Sequence, residues 1–346
     1  MNQQSSRYLA PLLFVLGVSC SGSSPPAAQS PTSKQPAPQV EVATEPLELN
    51  ADEAIILKGL KRHVQQMAGV IGERNQRKSW ELAECSDYLA TELEALGYPI
   101  ERQGYETGSV AAQNLSITVV GGGRGKEHFF VGAHYDSSHG SAGFDSALTS
   151  AALLELARMM HGAKIERTLR LVFFAMGQSP SADGEARGAR VFAQKIAKEA
   201  RRQPPEGIDH PAPVSEIDNF GVLTLESLVE VIRDPKRAES ALLPLSSSQS
   251  AWKIEAALAA SFAGDPFQFS SVDLADGESD ARAFAEVEIP SLEFGTNVGG
   301  AEGARSLEAI SEQQFEDAAQ IVMRIRQGLG DILIERGTND AMVTPL

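Results

Sequence analysis

The sequence predicts an α/β fold with a mostly parallel sheet covered by helices on both faces. Two observations carry this. Short continuous apolar runs, such as Phe129-Phe-Val-Gly-Ala133 and Leu169 to Ala175, read as strands buried on both sides. Between them lie longer stretches with apolar residues at three- and four-residue intervals, which read as amphipathic helices, and the alternation implies parallel pairing. With 346 residues and 42% hydrophobic composition, the chain can bury one large core, and a single domain over residues 51–332 accounts for it.

Ahead of that domain, Arg7, the apolar stretch Leu9 to Leu16 and the small residues Gly17-Val-Ser19 have the layout of a secretory signal over residues 1–20. The apolar stretch is too short for a permanent membrane span. Cys20 directly after the small residues is similar to a bacterial lipoprotein junction, which predicts lipidation at Cys20 and a place in the bacterial cell envelope, tethered to a membrane. Residues 21–50, rich in Ser, Pro and Ala, cannot bury enough surface to fold and read as a flexible spacer.

Within the domain, helices are predicted over Ala51 to Val70 and Lys78 to Leu96, the second stopped by Gly97. Strands follow at Pro99–Gln103, Gln113–Val120 and His128–Ala133, with Gly121-Gly-Gly-Arg-Gly125 as a flexible hairpin turn. A helix over Asp145–His161, a strand over Leu169–Ala175 and a helix over Gly184–Arg201 come next. A strand at Phe220–Leu225, a helix near Gln249–Phe262, a strand at Glu288–Phe294 and a helix over Glu308–Leu329 close the domain, leaving residues 333–346 as a tail. Cys85, on the apolar spacing of the second helix, is predicted to be a core thiol, and with Cys20 acylated no intrachain disulfide forms. The formal net charge of −16 argues against a nucleic-acid partner, since displacing counterions from phosphates needs clustered Lys and Arg.

The densest chemistry lies in Val131-Gly-Ala-His134-Tyr-Asp136-Ser-Ser-His139-Gly, then Gly143-Phe-Asp145-Ser, then Leu153-Leu-Glu-Leu-Ala-Arg158. A His and carboxylates delivered to the end of a buried strand, before a helix, can hold a divalent metal. This block resembles the metal-binding segment of metallopeptidase family 28, the zinc-dependent aminopeptidases with paired zinc ions. Gly72-Glu-Arg-Asn75, Leu96-Gly-Tyr98 and Asn114-Leu before it extend the resemblance. So do Arg167 to Phe174, Leu225-Glu226, Ser279-Asp280 and Ile289-Pro-Ser-Leu292 after it, in the family's order. The resemblance implies a twisted central sheet sandwiched by helices, with the site at the carboxyl ends of its middle strands.

It also implies roles. His134 matches the first metal ligand, Asp145 the bridging carboxylate and Glu226 the later acidic ligand, all serving one metal, while Asp136 stands where a carboxylate orients the ligating ring. At the family's paired glutamates this chain has Gly177 in place of the proton-transferring residue and Gln178 in place of the second metal's ligand. Gly carries no proton, and a neutral amide oxygen is a poor zinc ligand beside a carboxylate. No His follows His210, so the family's last ligand is missing from the loop Gly295 to Arg305. At most one zinc per chain is therefore expected. Asp183 and Glu185 are candidate replacement bases, against the plainer reading as helix caps and solvated charge, and His139 reads as a solvated loop residue.

The signal-like start predicts export, and the resemblance implies a peptidase-like domain with weak or no peptidase activity, its cleft kept for a peptide or another small ligand. An active aminopeptidase using one zinc and a replacement base is the alternative. A single-zinc transferase of the glutaminyl-cyclase type shares the wider resemblance, but it too relies on the acidic residue and the late His absent here.

Overall fold

The computed structural model describes residues 49–108, 110–178, 187–200, 218–229, 232–233, 241–263, 267–274, 279–295 and 310–334. Cys20, the signal and most of the spacer, Asp183, Glu185 and the end of the tail lie outside them.

Helix α1, Ala51–Val64, opens on a capping box in which Asn50 accepts from Glu53 N while the Glu53 carboxylate accepts from Asn50 N. It runs into π-helical turns at Gln65–Ile71 that end at Gly72. Helix α2, Ser79–Ala95, stops where sequence predicts: Tyr98 N donates to Leu93 O across Gly97, whose φ of 87° is left-handed.

Among the described residues nine strands follow, β1 Glu101–Thr107, β2 Val110–Val119, β3 Arg124–His134, β4 Arg167–Phe174, β5 Asp218–Leu225, β6 Ile232–Arg233, β7 Ala241–Ser247, β8 Phe267–Asp273 and β9 Ser291–Phe294. Helices α3 Phe144–Met160, α4 Gly188–Ala200, α5 Trp252–Ser261, α6 Asp280–Ala285 and α7 Glu312–Ile334 complete the fold. Among these helices none is long and apolar enough to cross a membrane. The strand order is β1-β2-β4-β3-β5-β9-β7-β6, with β8 paired along β7. The centre, β4, β3, β5 and β9, is parallel. Both flanks bring antiparallel pairing, β1–β2–β4 on one side and β9–β7–β6 on the other. The sheet is therefore mixed, its parallel part concentrated where the apolar runs are longest.

Strand alternation divides the core. Phe129, Val131, Leu171, Phe173, Leu223 and Leu225 face a large cluster shared with α1, α2, α3, α5 and α7. Phe130, Val172, Phe174 and Val222 face the other side, against Phe192 of α4 and Phe284 of α6. Phe130 packs edge-on to Phe192 at 5.9 Å between centroids, and truncating such a ring to Ala costs about 3–5 kcal/mol. Cys85 is fully buried, as predicted.

Four sequence expectations are corrected. Gly121–Gly125 makes no hairpin, because β2 and β3 both pair with β4 rather than with each other. The glycines instead cross the start of β4: Gly122 N donates to Ile165 O and Arg124 N to Glu166 O, and a side chain at Gly121 would run into the Arg167 main chain. The strands β6, β7 and β8 were not predicted, since Pro244 and the serines of β7 break the apolar run that marks the central strands. Helix α6 was also missed, being only six residues long. The tail begins later than position 333, because α7 reaches Ile334 and buries Leu333.

Candidate metal centre

The carboxyl ends of β3, β4, β5 and β9 converge with the start of α6, the region where open α/β sheets place their ligands. His134 is the last residue of β3 and is 1% exposed. Glu226 directly follows β5 and its backbone N–H donates to Phe294 O of β9. Asp280 begins α6 behind Ser279, a side-chain cap that accepts from Arg282 N at 3.1 Å. One donor atom from each of His134, Glu226 and Asp280 lies within 4.8 Å of the other two.

The group has the properties of a cation cradle. His134 Nδ1 and both oxygens of Asp280 are buried without a hydrogen-bond partner, a costly state for polar atoms unless something completes them. Burial and the neighbouring carboxylates of Asp280 and Glu293 push Glu226 well above the usual carboxylate range, with the Arg187 guanidinium opposing. Burial pushes Glu293 up to about 7, with Ser279 opposing. Three carboxylates in one desolvated place with an imidazole beside them suit a divalent cation, and His with carboxylates is a donor set zinc accepts.

The predicted residues are only partly gathered. His134 and Glu226 come together, but the third member of the described group is Asp280, not Asp145. Asp145 stands at the start of α3, where its Oδ1 accepts from Ser227 Oγ at 3.1 Å, one residue beyond Glu226. Asp136 does not orient the His134 ring through Nδ1, which has no partner. Its fully buried carboxylate instead accepts from Gly177 N at 2.7 Å and Gln178 N at 3.0 Å. The Gln178 carboxamide lies against the His134 ring, 3.0 Å from Nε2, and its oxygen accepts from Ser138 Oγ. Gln178 thus touches the imidazole that Asp136 was expected to hold. His139 turns away to Glu73, 3.0 Å from Nδ1, and to Arg77, as a largely exposed loop residue.

Two residues at the site were given no role in the sequence reading. Asp280 lies in the quoted Ser279-Asp280 pair, whose cap-then-acid order is itself a helix-start signal. Arg74, in the quoted Gly72–Asn75 segment, is completely buried and supports the loop that leaves His134. Its guanidinium donates to the carbonyls of Met67, Gly72, Tyr135, Ala142 and Gly143 and to Ser146 Oγ. This ties both ends of the 135–146 segment to the π-helical turns that follow α1.

Fold and site together define an α/β domain of the zinc exopeptidase type. The model of peptidase family M28 matches residues 114–317, and the chain belongs to that family. A leucine aminopeptidase precursor from Bacteroides thetaiotaomicron superposes with a TM-score of 0.56 at 16% identity, over 78% of this chain and 96% of that one. A glutaminyl cyclase from the same organism gives 0.55 at 14% identity, over 78% and 97%. An aminopeptidase from Aneurinibacillus sp. strain AM-1 gives 0.56 at 13% identity, over 82% and 96%. At these identities the likeness establishes the fold alone. No curated protein matches the chain.

Proposed function

We propose that this chain is an exported, membrane-tethered M28 domain that binds one divalent cation, zinc in the first instance, and holds a peptide or other small ligand with little or no peptidase turnover. The observation that carries the reading is the pairing of an intact cation cradle with an absent base. His134 Nδ1 and both Asp280 oxygens are buried without partners, with a donor atom of Glu226 beside them, while Gly177 occupies the proton-transferring position. Asp145, held beside Glu226 through Ser227, is the further carboxylate within this reading. A bound cation would supply Lewis-acid polarisation of a carbonyl and a lowered pKa for its water. This chain's own residues offer no group at 177 to take the proton, and general base catalysis contributes about 10²- to 10⁴-fold.

The second reading, an aminopeptidase working with one zinc, is favoured by the cradle itself, since three protein ligands leave a position open as catalytic zinc sites do. Asp183 and Glu185 are its candidate bases. The glutaminyl-cyclase neighbours bring in a third chemistry, which lacks its acidic residue at 177 here. Aminoacyl chromogenic substrates with added zinc or cobalt decide between them. No turnover above a His134→Ala control supports the binding reading, and robust turnover lost in that control overturns it.

A further inference from the structure

We propose that Gln178 is the positioning residue of the His134 imidazole: its carboxamide holds the ring atom Nε2 and thereby leaves Nδ1 as the atom that His134 offers to the cation. The inference rests on the cation reading above and gives Gln178 a role other than the poor ligand that the sequence resemblance implies. Two observations on the ring carry it. Gln178 Nε2 lies 3.0 Å from His134 Nε2, and a β-carbon at Gly177 would stand 3.0 Å from Cδ2, the carbon bonded to Nε2, so the main chain shuts that side of the ring. Nδ1 is instead buried without a hydrogen-bond partner, as are both oxygens of Asp280 in the same group. Nδ1 and the Asp280 carboxylate are thus the atoms that a cation would complete.

Gln178 is held at both ends for this task. Its backbone N–H donates to Asp136 Oδ2 at 3.0 Å, beside Gly177 N to Oδ1 at 2.7 Å, and its side-chain oxygen accepts from Ser138 Oγ at 3.0 Å. Asp136 therefore reaches the ring through Gln178. An amide nitrogen only donates, so in the cation-free chain Nε2 offers its lone pair and the ring proton sits on Nδ1, where it has no acceptor. Rotating the carboxamide by half a turn exchanges its oxygen and nitrogen without moving the main chain. Nε2–H then donates to the Gln178 oxygen, Ser138 Oγ accepts from the amide nitrogen, and Nδ1 presents a lone pair. One proton leaves Nδ1 to solvent and one returns to Nε2, so the ring's proton count is unchanged. An imidazole ligand whose other N–H is held by a fixed acceptor is a general feature of metal sites.

The test is calorimetric titration of the full chain, stripped of metal, with zinc chloride. Wild type is compared with Gln178→Leu, Gln178→Ala and Gln178→Glu, with circular dichroism reporting the fold of each. Gln178→Leu is expected to weaken binding about 10- to 100-fold. Should the leucine disturb the fold, Gln178→Ala, which only removes atoms, gives the same readout. Gln178→Glu, whose carboxylate still accepts from Nε2–H, should bind zinc at least as tightly as wild type. Nuclear magnetic resonance of a chain carrying isotope-labelled histidine reads the ring itself. His134, identified among the six histidines by its loss in His134→Gln, should carry its proton on Nε2 once zinc is bound. Wild-type or tighter affinity in Gln178→Leu and Gln178→Ala would mean that Gln178 obstructs the ring, and a zinc-loaded ring with its proton on Nδ1 would place the cation on Nε2. Either result, or a Gln178→Glu loss as large as that of Gln178→Leu, overturns the inference while leaving the cation reading standing. A wild-type chain that takes up no zinc overturns both.

Discussion

A β-carbon at Gly177 would stand 2.5 Å from the β-carbon of His134 and 2.7 Å from its Cγ, so the main chain at Gly177 lies directly against the candidate ligand. The preceding Met176 has a φ of 60°, a left-handed conformation that a long side chain adopts at a cost of about 1–3 kcal/mol. That turn lets Gly177 and Gln178 donate to Asp136, and Arg187 clamps the far side by donating to Gly177 O. If the family carries a glutamate here, as the sequence resemblance implies, the space for it is closed in this chain. Restoring it by Gly177→Glu, even together with Gln178→Glu, is expected to yield no peptidase activity and to displace His134. Zinc titration of the variant should show weakened binding. Recovery of aminopeptidase turnover in that double variant would show that the space reopens at no cost.

The parallel centre and its alternating faces were legible because continuous apolar runs and period-two burial leave few other solutions. Phe129 and Phe130 already announce two covered sides. The antiparallel margin was not, since β7 carries Pro244 and serines and its pairing depends on β8 and β9, far along the chain. His134 and Glu226 were placed correctly at strand ends, which hydrophobicity marks well. The partner that closes on them was not, because it depends on how the short α6 returns to the sheet, and no local pattern encodes that approach. The Asp136 contacts likewise depend on the backbone turn at Met176, which nothing in Met176-Gly177-Gln178 announces.

Arg74 offers a test of what holds the His134 loop in place. It carries five main-chain carbonyls and one hydroxyl in a fully buried position, with distances from 2.6 Å to Gly72 O to 3.2 Å to Ser146 Oγ. Arg74→Met would leave these acceptors unpaired and is expected to cost about 4 kcal/mol or more. Arg74→Lys keeps the charge but not the planar fork, so it should recover only part of the loss. Urea denaturation at neutral pH reads both, and a Met variant as stable as wild type would remove Arg74 from this role.

A second buried network predicts a pH dependence. His63 on α1 is 3% exposed, with Nδ1 2.6 Å from Tyr88 Oη and Nε2 2.9 Å from Arg62 and 3.8 Å from Glu155. Burial, then the Arg62 charge, push its pKa down to about 4, with Glu92 opposing. The folded value lies below the unfolded one of about 6.5, so the neutral ring contributes fully above that pH. The contribution is lost as pH falls towards about 4. Wild type should therefore lose stability between about pH 6.5 and 4 beyond what a His63→Gln variant loses. Parallel curves for the two proteins would assign the acid sensitivity elsewhere.

The export reading is tested at Cys20. If lipid anchors the chain there, replacing Cys20 by Ser should move the protein from the membrane fraction to the soluble one. Mass spectrometry of the wild-type amino terminus should then find an acylated Cys20. An unmodified terminus at another residue would refute anchoring without touching the domain.

Cation binding should also be visible as stability. A ligand that binds only the native state stabilises it by RT ln(1 + [L]/Kd), about 2.7 kcal/mol at a hundredfold excess over Kd. Zinc added to metal-stripped wild type is expected to raise the denaturation midpoint by an amount that grows with concentration. The gain should disappear in His134→Ala and in Asp280→Asn, which each remove one donor from the group. Asp145→Asn separates the two ligand sets: a retained gain favours the His134, Glu226 and Asp280 group, and a lost one restores the bridging carboxylate to the centre. Asp280→Asn without zinc should be no less stable than wild type and is expected to be more so, since it replaces a buried carboxylate whose oxygens have no partner. A variant that is weaker without metal and unchanged in its response to zinc would make Asp280 a structural residue of α6.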